Sequence, residues 1–409
     1  MKKQMLVLGG GFAGLWSALA AARKLAEFHA EAEIEITLVD RTTYHNIRVR
    51  NYEADLSDVC IPLKDLLTPV GVRFLNGEVS DIDVLGRRVS VQTRDGLQSL
   101  GYDRLVLAVG SEVVRPPIPG LEERAFDVDT YAAAARLAHH IDELGAGKSG
   151  SGQFTAVVIG AGLTGLEVTT ELPQRLTRIR ERSASREPVR VVLVDRLPHV
   201  GSDMGPHARP VIEEALRSLG IETRLSVSVE RIEPSAVELS SGERIDASTV
   251  IWCAGMRANP LTDKLPGERD RLGRLKVDPF LRIAGVPHAF AAGDVANIAI
   301  DGAHPSVMSC QHGRPMGRFA GNNAAADLLG KPMLPLRIDW YVTVLDLGPW
   351  GGIHTSGWDR RVIATGAQAK ATKREINCHR IYPPRSLNRE DLFAAAAPEL
   401  QPPPQILGD

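Results

Sequence analysis

The chain has 409 residues, 44% of them hydrophobic and 24% charged, which is enough apolar material for two or three packed domains and too much for disorder. A formal net charge of -2 provides no chain-wide basic field for nucleic acid and no acidic excess for a solvating tail. Cys60, Cys253, Cys310 and Cys378 lie far apart in sequence, so neither a disulfide framework nor a zinc-ligand cluster is expected, and a reducing cytoplasm fits them.

Lys2 and Lys3 precede an apolar stretch reaching Ala22 and so imitate a secretory leader, but Gly9, Gly10, Gly11 and Gly14 interrupt it in a nucleotide-binding pattern. No run of 18 apolar residues follows, so no bilayer span is expected, and peripheral attachment at the inner face of a membrane stays open.

In chain order, Gln4 to Leu8 reads as a buried strand, Gly9 to Gly14 as a tight turn, Leu15 to Phe28 as a helix, and Ile34 to Val39 as a second strand ending at Asp40. Val72 to Val91 alternates apolar and polar residues. Arg104 to Val109 is an apolar strand running into Gly110, and Pro116, Pro117 and Pro119 break the chain after it. Ala132 to Leu144 has helical spacing, and Gly145 to Gly152 reads as a mobile surface loop. A second strand, turn, helix and strand then follow at 155–159, 160–165, 166–176 and 189–194, ending at Asp195. The expected class is α/β with two Rossmann-like nucleotide-binding folds. Beyond them lie a short strand at 289–295, a helix from about Arg314 to Leu329, and a closing block rich in Trp, Tyr and Pro whose end after Ala394 is expected to fray.

In Gly9-Gly10-Gly11-Phe12-Ala13-Gly14 the first glycine makes the turn, the second admits a pyrophosphate to the backbone, and the third lets helix and strand pack closely. Phosphates then sit on the free N–H groups and positive dipole end of the helix. Asp40, with Arg41 beside it, stands where a carboxylate can accept from ribose hydroxyls. Gly160-Ala161-Gly162-Leu163-Thr164-Gly165 repeats the device with Asp195 in the matching place, so two dinucleotides should be held at once. Asp195 repels a 2′-phosphate and favours NADH, although the adjacent Arg196 leaves NADPH as an alternative. Gly293-Asp294, about 130 residues beyond the second fingerprint, adds a glycine for close approach and an acid that can bond a polyol.

The order of these three motifs resembles the flavoproteins with two dinucleotide-binding domains, the pyridine nucleotide-disulfide oxidoreductase superfamily. Within it the chain is most similar to the type II NADH dehydrogenases, which are NADH:quinone oxidoreductases. The similarity covers about residues 1 to 330, and its most specific part is the second fingerprint run-on through Leu166-Glu167 and Glu171-Leu172. It implies an FAD domain at 1–118 and 273–330, an NAD(P)H domain at 119–272, and a C-terminal block at 331–409 forming an interface or acceptor site. FAD would lie on Gly9, Gly11, Gly14, Asp40, Arg41, Gly293 and Asp294, and NADH on Gly160, Gly162, Gly165 and Asp195. Glu167 would stand near the nicotinamide and flavin. Gly110 and Gly255 occupy the strand-to-glycine crossings beside the two nucleotides. The disulfide-reductase branch is disfavoured, because it needs a cysteine pair soon after the first unit and Cys60 stands there alone.

Gln311 falls where the type II enzymes line their quinone site. Its amide would bond a quinone carbonyl and His312 would donate a proton to it, unless both merely cap the next helix. Tyr44 to Glu53 is more polar than the family's segment there. Arg48 and Arg50 would suit a carboxylate- or phosphate-bearing acceptor, against the alternative of a solvated loop. Ala367 to Asn377 lacks the large apolar residues of the family's membrane-resting helices, and the aromatics Trp340, Trp350 and Trp358 would serve as core, as a dimer surface or as a flavin cover. The expected activity is FAD-dependent transfer of hydride from NADH and of two electrons to a quinone. The competing readings are a soluble reductase for a redox protein or organic substrate, and an FAD/NADH-binding redox sensor.

Overall fold

The computed structural model describes residues 2–146, 150–183 and 185–406. Two parallel sheets organise the chain. The first takes its strands in the order 289–291, 104–107, 3–8, 34–40 and 73–76. Its central pair runs in register from Lys3 against Ile34 to Leu8 against Val39. The second has the order 222–225, 190–195, 155–159 and 249–252. Both sheets are buried on two faces, which is why their strands read as continuous apolar runs such as Val157, Val158 and Ile159.

Each central strand feeds a helix whose start carries the glycine fingerprint. Helix α1, Phe12–Glu27, follows the first, and helix α2, Leu163–Arg182, follows the second. Helix α2 runs beyond the segment read from sequence, continuing through Pro173 to Arg182. The alternating stretch expected at 72–91 divides into the end of the first sheet and the first two strands of a three-stranded antiparallel sheet, Glu78–Asp83 and Arg88–Thr93, which Gly96–Gly101 completes, with Leu85 exposed at the first turn.

Helix α3, Cys310–Leu328, begins four residues before the expected start. Pro315 imitates the first helical position, but here it lies inside the helix. Helices α1 and α3 pack at unusually short range. A Cβ on Gly317 would stand 2.3 Å from the Ala13 carbonyl oxygen, and one on Gly321 would stand 1.9 Å from that of Ser17. Ser17 Oγ donates to the Gly317 carbonyl at 3.0 Å across this seam.

The two units are joined by short strands that leave the glycines at the sheet ends. Gly110 (φ +74°) and Gly255 (φ +85°) turn the chain into an antiparallel pair, Ser111–Val113 against Met256–Ala258. The C-terminal block folds as a three-stranded antiparallel sheet at 342–365 followed by helix α4, Gly366–Glu375, and a π turn, Ile376–Arg380. Its aromatics divide between roles. Trp350 packs against the core of the second unit, while Tyr341 stacks on Trp358 at 4.2 Å. No helix among the described residues is long and apolar enough to cross a membrane.

Two sequence expectations change. Of the segment after Ala394, Leu407, Gly408 and Asp409 lie outside the described residues, and the part up to Pro402 is held rather than frayed, since Gln401 accepts from Arg314 and the Pro402 carbonyl accepts from Arg380. Of the loop expected at 145–152, Gly147, Lys148 and Ser149 lie outside the described residues. The residues beside them are anchored, with Ser151 Oγ on Asp246 at 2.7 Å and Gln153 Nε2 on the Leu144 carbonyl at 2.6 Å.

Candidate active site

The first fingerprint forms one wall of a cavity of 390 Å3. Gly9 adopts φ +103°, and a Cβ there would meet the Ala108 carbonyl oxygen at 2.3 Å, so only glycine fits where the two strands close. A Cβ on Gly14 would stand 1.8 Å from the Gly9 oxygen, whereas nothing lies within 4 Å of one on Gly11. The loop is therefore packed behind and open in front. Asp40 fixes its far side: Oδ2 accepts Gly10 N–H at 2.5 Å and Oδ1 accepts Thr42 N–H at 2.6 Å. Arg41, Gly110, Gly293 and Asp294 line the same cavity. Asp294 accepts from Ser111 Oγ at 2.6 Å, and Arg48 reaches Ser111 Oγ at 2.9 Å, Asp294 at 3.7 Å and Asp129. His45 supports the loop from below, with Nδ1 at 2.9 Å from the Gly10 carbonyl, and burial pushes this imidazole down to about 4.

The second fingerprint repeats these features. Gly160 has φ +106°, a Cβ on Gly165 would stand 1.7 Å from the Gly160 oxygen, and Asp195 accepts Ala161 N–H at 2.5 Å and Leu197 N–H at 2.7 Å. Gly162, Asp195 and Gly255 lie outside the first cavity.

A second chamber of 280 Å3 adjoins the first and shares with it Arg48, Val49, Val128, Thr164 and the run from Met308 to Cys310. Glu167 and Gln311 line it, together with Trp340 and Tyr341. Glu167, carried by the first turns of α2, is 7% exposed and is not an isolated carboxylate. Lys373 Nζ from α4 lies 2.8 Å away, and Asp346 N–H donates to Glu167 at 3.2 Å. Burial raises the Glu167 carboxyl, while Lys373 works in the opposite sense. Burial likewise disfavours the Lys373 ammonium, yet the Glu167 and Asp346 carboxylates outweigh it and hold the ammonium protonated. Asp346 also takes Lys370 at 2.9 Å and the Tyr52 hydroxyl at 3.2 Å, which ties α2, α4 and the polar 44–53 segment together.

His312 does not reach the chamber. It is fully buried on the inner face of α3, where Nδ1 accepts Val307 N–H at 3.0 Å and Nε2 lies 3.4 Å from the Gln311 amide. Burial pushes it down to about 4, so it is a neutral ring that pins the preceding loop and orients Gln311. Arg50 is likewise committed, bound by Glu53 at 2.7 Å and by the Tyr382 hydroxyl at 2.5 Å. Neither it nor Arg48 stands in a solvated loop. The residue that sequence reasoning passed over is Lys373, which no local pattern marks, since its helix buries only Ala369 and Thr372.

Residues 3–317 match the model of the pyridine nucleotide-disulphide oxidoreductases. The chain belongs to that family. A NADH dehydrogenase-like protein of Mycobacterium tuberculosis (strain H37Rv) is 56% identical over 402 residues, 98% of this chain and 100% of its own. A type II NADH:quinone oxidoreductase of Staphylococcus haemolyticus is 26% identical over 396 residues, 93% of this chain and 96% of that one. Among solved structures, NDH2 of Plasmodium falciparum in complex with NADH superposes with a TM-score of 0.78 at 14% identity, over 97% of this chain and 98% of that one. This last likeness concerns the fold. The family's disulphide chemistry finds no matching dithiol, because Cys60 is a free thiol pushed up to about 11 by burial and accepts from Asn46.

Proposed function

We infer that this oxidoreductase, an FAD-dependent NADH dehydrogenase, passes its electrons to a quinone bound in the 280 Å3 chamber. The observation that carries the reading is the shared wall: the chamber lined by Gln311 and Trp340 opens against the cavity built by the first fingerprint, with Thr164 of the second fingerprint at the junction. On this reading donor, relay and acceptor would meet at one place.

The residues present fit FAD. Open space in front of Gly11, Asp40 at the strand end, and Asp294 beside Gly293 offer a pyrophosphate cradle and carboxylates at either side of it. When bound, FAD supplies two-electron relay chemistry between a hydride donor and a quinone. Gly160, Gly162 and Gly165 would hold the NADH pyrophosphate, with Asp195 on a ribose. Glu167, fixed by Lys373, gives the nicotinamide end a rigid wall that excludes water. Gln311 would donate to a quinone carbonyl, and Lys373 Nζ presents a protonated donor on the same wall. His312 acts by positioning Gln311.

Replacing Gln311 by leucine tests the placement of the acceptor. The KM for a soluble quinone should rise about tenfold, the loss of one hydrogen bond to a carbonyl. An unchanged KM would remove Gln311 from the quinone site.

A further inference from the structure

The charges lining the chamber do not balance. Arg48 is paired with Asp129 and Lys373 with Glu167, but Arg314, Arg318 and Arg380 line the same space and, among the described residues, form no ion pair. Arg314 and Arg318 stand one turn apart on α3 and are 6% and 5% exposed. Their guanidinium carbons lie 4.9 and 5.7 Å from the Trp16 ring centre, a contact that offsets part of the cost of burying cations. Their other contacts are neutral. Arg314 Nη1 donates to the Arg380 carbonyl at 2.8 Å and to Gln401 at 3.4 Å, and Arg318 Nη1 donates to the Ala395 carbonyl at 3.4 Å. The Nε atoms of both have no partner.

Burial, reinforced by their neighbours' charge, pushes Arg314 down to about 9 and Arg318 to about 10, and both stay cationic at neutral pH. The exposed Glu399 acts on Arg318 only at longer range. A folded chain normally neutralises buried guanidinium groups with carboxylates, and two without one, with the half-buried Arg380 unpaired beside them, mark a place where the ligand brings the counter-charge.

We propose that the chamber takes an anionic acceptor: a flat conjugated body against Trp340 and Tyr341, carrying a carboxylate or phosphate that Arg314, Arg318 and Arg380 bind. The proposal rests on the reading of the chamber as the acceptor site. In the net reaction NADH and one proton from solvent yield NAD+, while the acceptor takes up two electrons and two protons at its carbonyl oxygens. The anionic group takes no part in the chemistry; it holds the acceptor in place.

The test is calorimetry of the FAD-loaded protein with naphthalene-2-carboxylate and with the neutral naphthalene-2-carboxamide, two rings of the same shape. The carboxylate should bind at least about tenfold more tightly, and the preference should fall to about threefold or less in Arg314→Gln and in the half-buried Arg380→Gln, which disturbs the core less. Equal binding of the two probes, or a preference that persists in both variants, overturns the proposal. Displacement of the carboxylate by a soluble quinone is expected. A carboxylate held by the arginines but not displaced by quinone supports the anion site and overturns its assignment as the acceptor site.

Discussion

The two nucleotide-binding units are nearly the same device at the backbone. Gly9 and Gly160 differ by three degrees in φ, at +103° and +106°, and Asp40 and Asp195 each take the loop amide at 2.5 Å. Their surroundings differ. The first unit's helix is clamped to α3 through the glycine notches at 317 and 321, and distant residues Gly293 and Asp294 close over its cavity. The second unit's helix is held by a buried ion pair between Glu167 and Lys373, and its carboxylate Asp195 lies outside both cavities. On the proposed assignment, the same fingerprint would serve a resident cofactor where other segments enclose it and an exchanging nucleotide where they do not.

Matched substitutions at the third glycines should break the symmetry most sharply. A Cβ on Gly14 or Gly165 meets a carbonyl oxygen within 2 Å, a strain of about 3 kcal/mol or more at either site. Gly14→Ala should yield colourless protein, read from the visible flavin spectrum. Gly165→Ala should stay yellow while its reduction by NADH slows about a hundredfold. A colour loss in both variants would mean that the units are not separable.

Lys373→Met strands the Glu167 carboxylate in a buried site and should destabilise the chain by about 3 to 5 kcal/mol in denaturant unfolding. Adding Glu167→Met should recover most of that loss. A double variant no more stable than Lys373→Met would show that the pair is not what secures the second helix.

A smaller effect concerns the buried imidazoles. His45, under the first glycine loop, and His312, on α3, are each pushed down to about 4 by burial. The unfolded chain binds these protons as pH falls through about 6.5 and the folded chain only near 4. Stability is therefore intact above 6.5 and is lost between 6.5 and 4, by about 3 kcal/mol per histidine. Thermal unfolding against pH should show this slope, and His312→Gln should flatten it.

Least in size, Asp195→Ser should narrow the preference for NADH over NADPH by about tenfold in kcat/KM, with Asp40→Ser leaving that ratio unchanged.

The fingerprints were legible because glycine spacing, a strand end and an acid are local in sequence, and Gly9 and Gly160 turn the chain at positive φ where the tight turns were read. The acceptor side was not. Lys373 reaches Glu167 across more than two hundred residues, a pairing that no local pattern encodes. The arginine pair that seemed suited to an anion, Arg48 and Arg50, is neutralised by Asp129 and Glu53, whereas the unpaired cations come from α3 and the π turn after α4. His312 looked like a proton donor from its place beside Gln311, but consecutive residues on a helix face different ways, and the one next to a site commonly points into the core.

The account's central claim is tested most directly by anaerobic stopped-flow mixing of the purified yellow protein with one equivalent of NADH, followed by a soluble quinone. Fast bleaching of the flavin and fast return of its colour on quinone addition are predicted. Absence of bound flavin, or flavin that NADH does not bleach, would contradict the account.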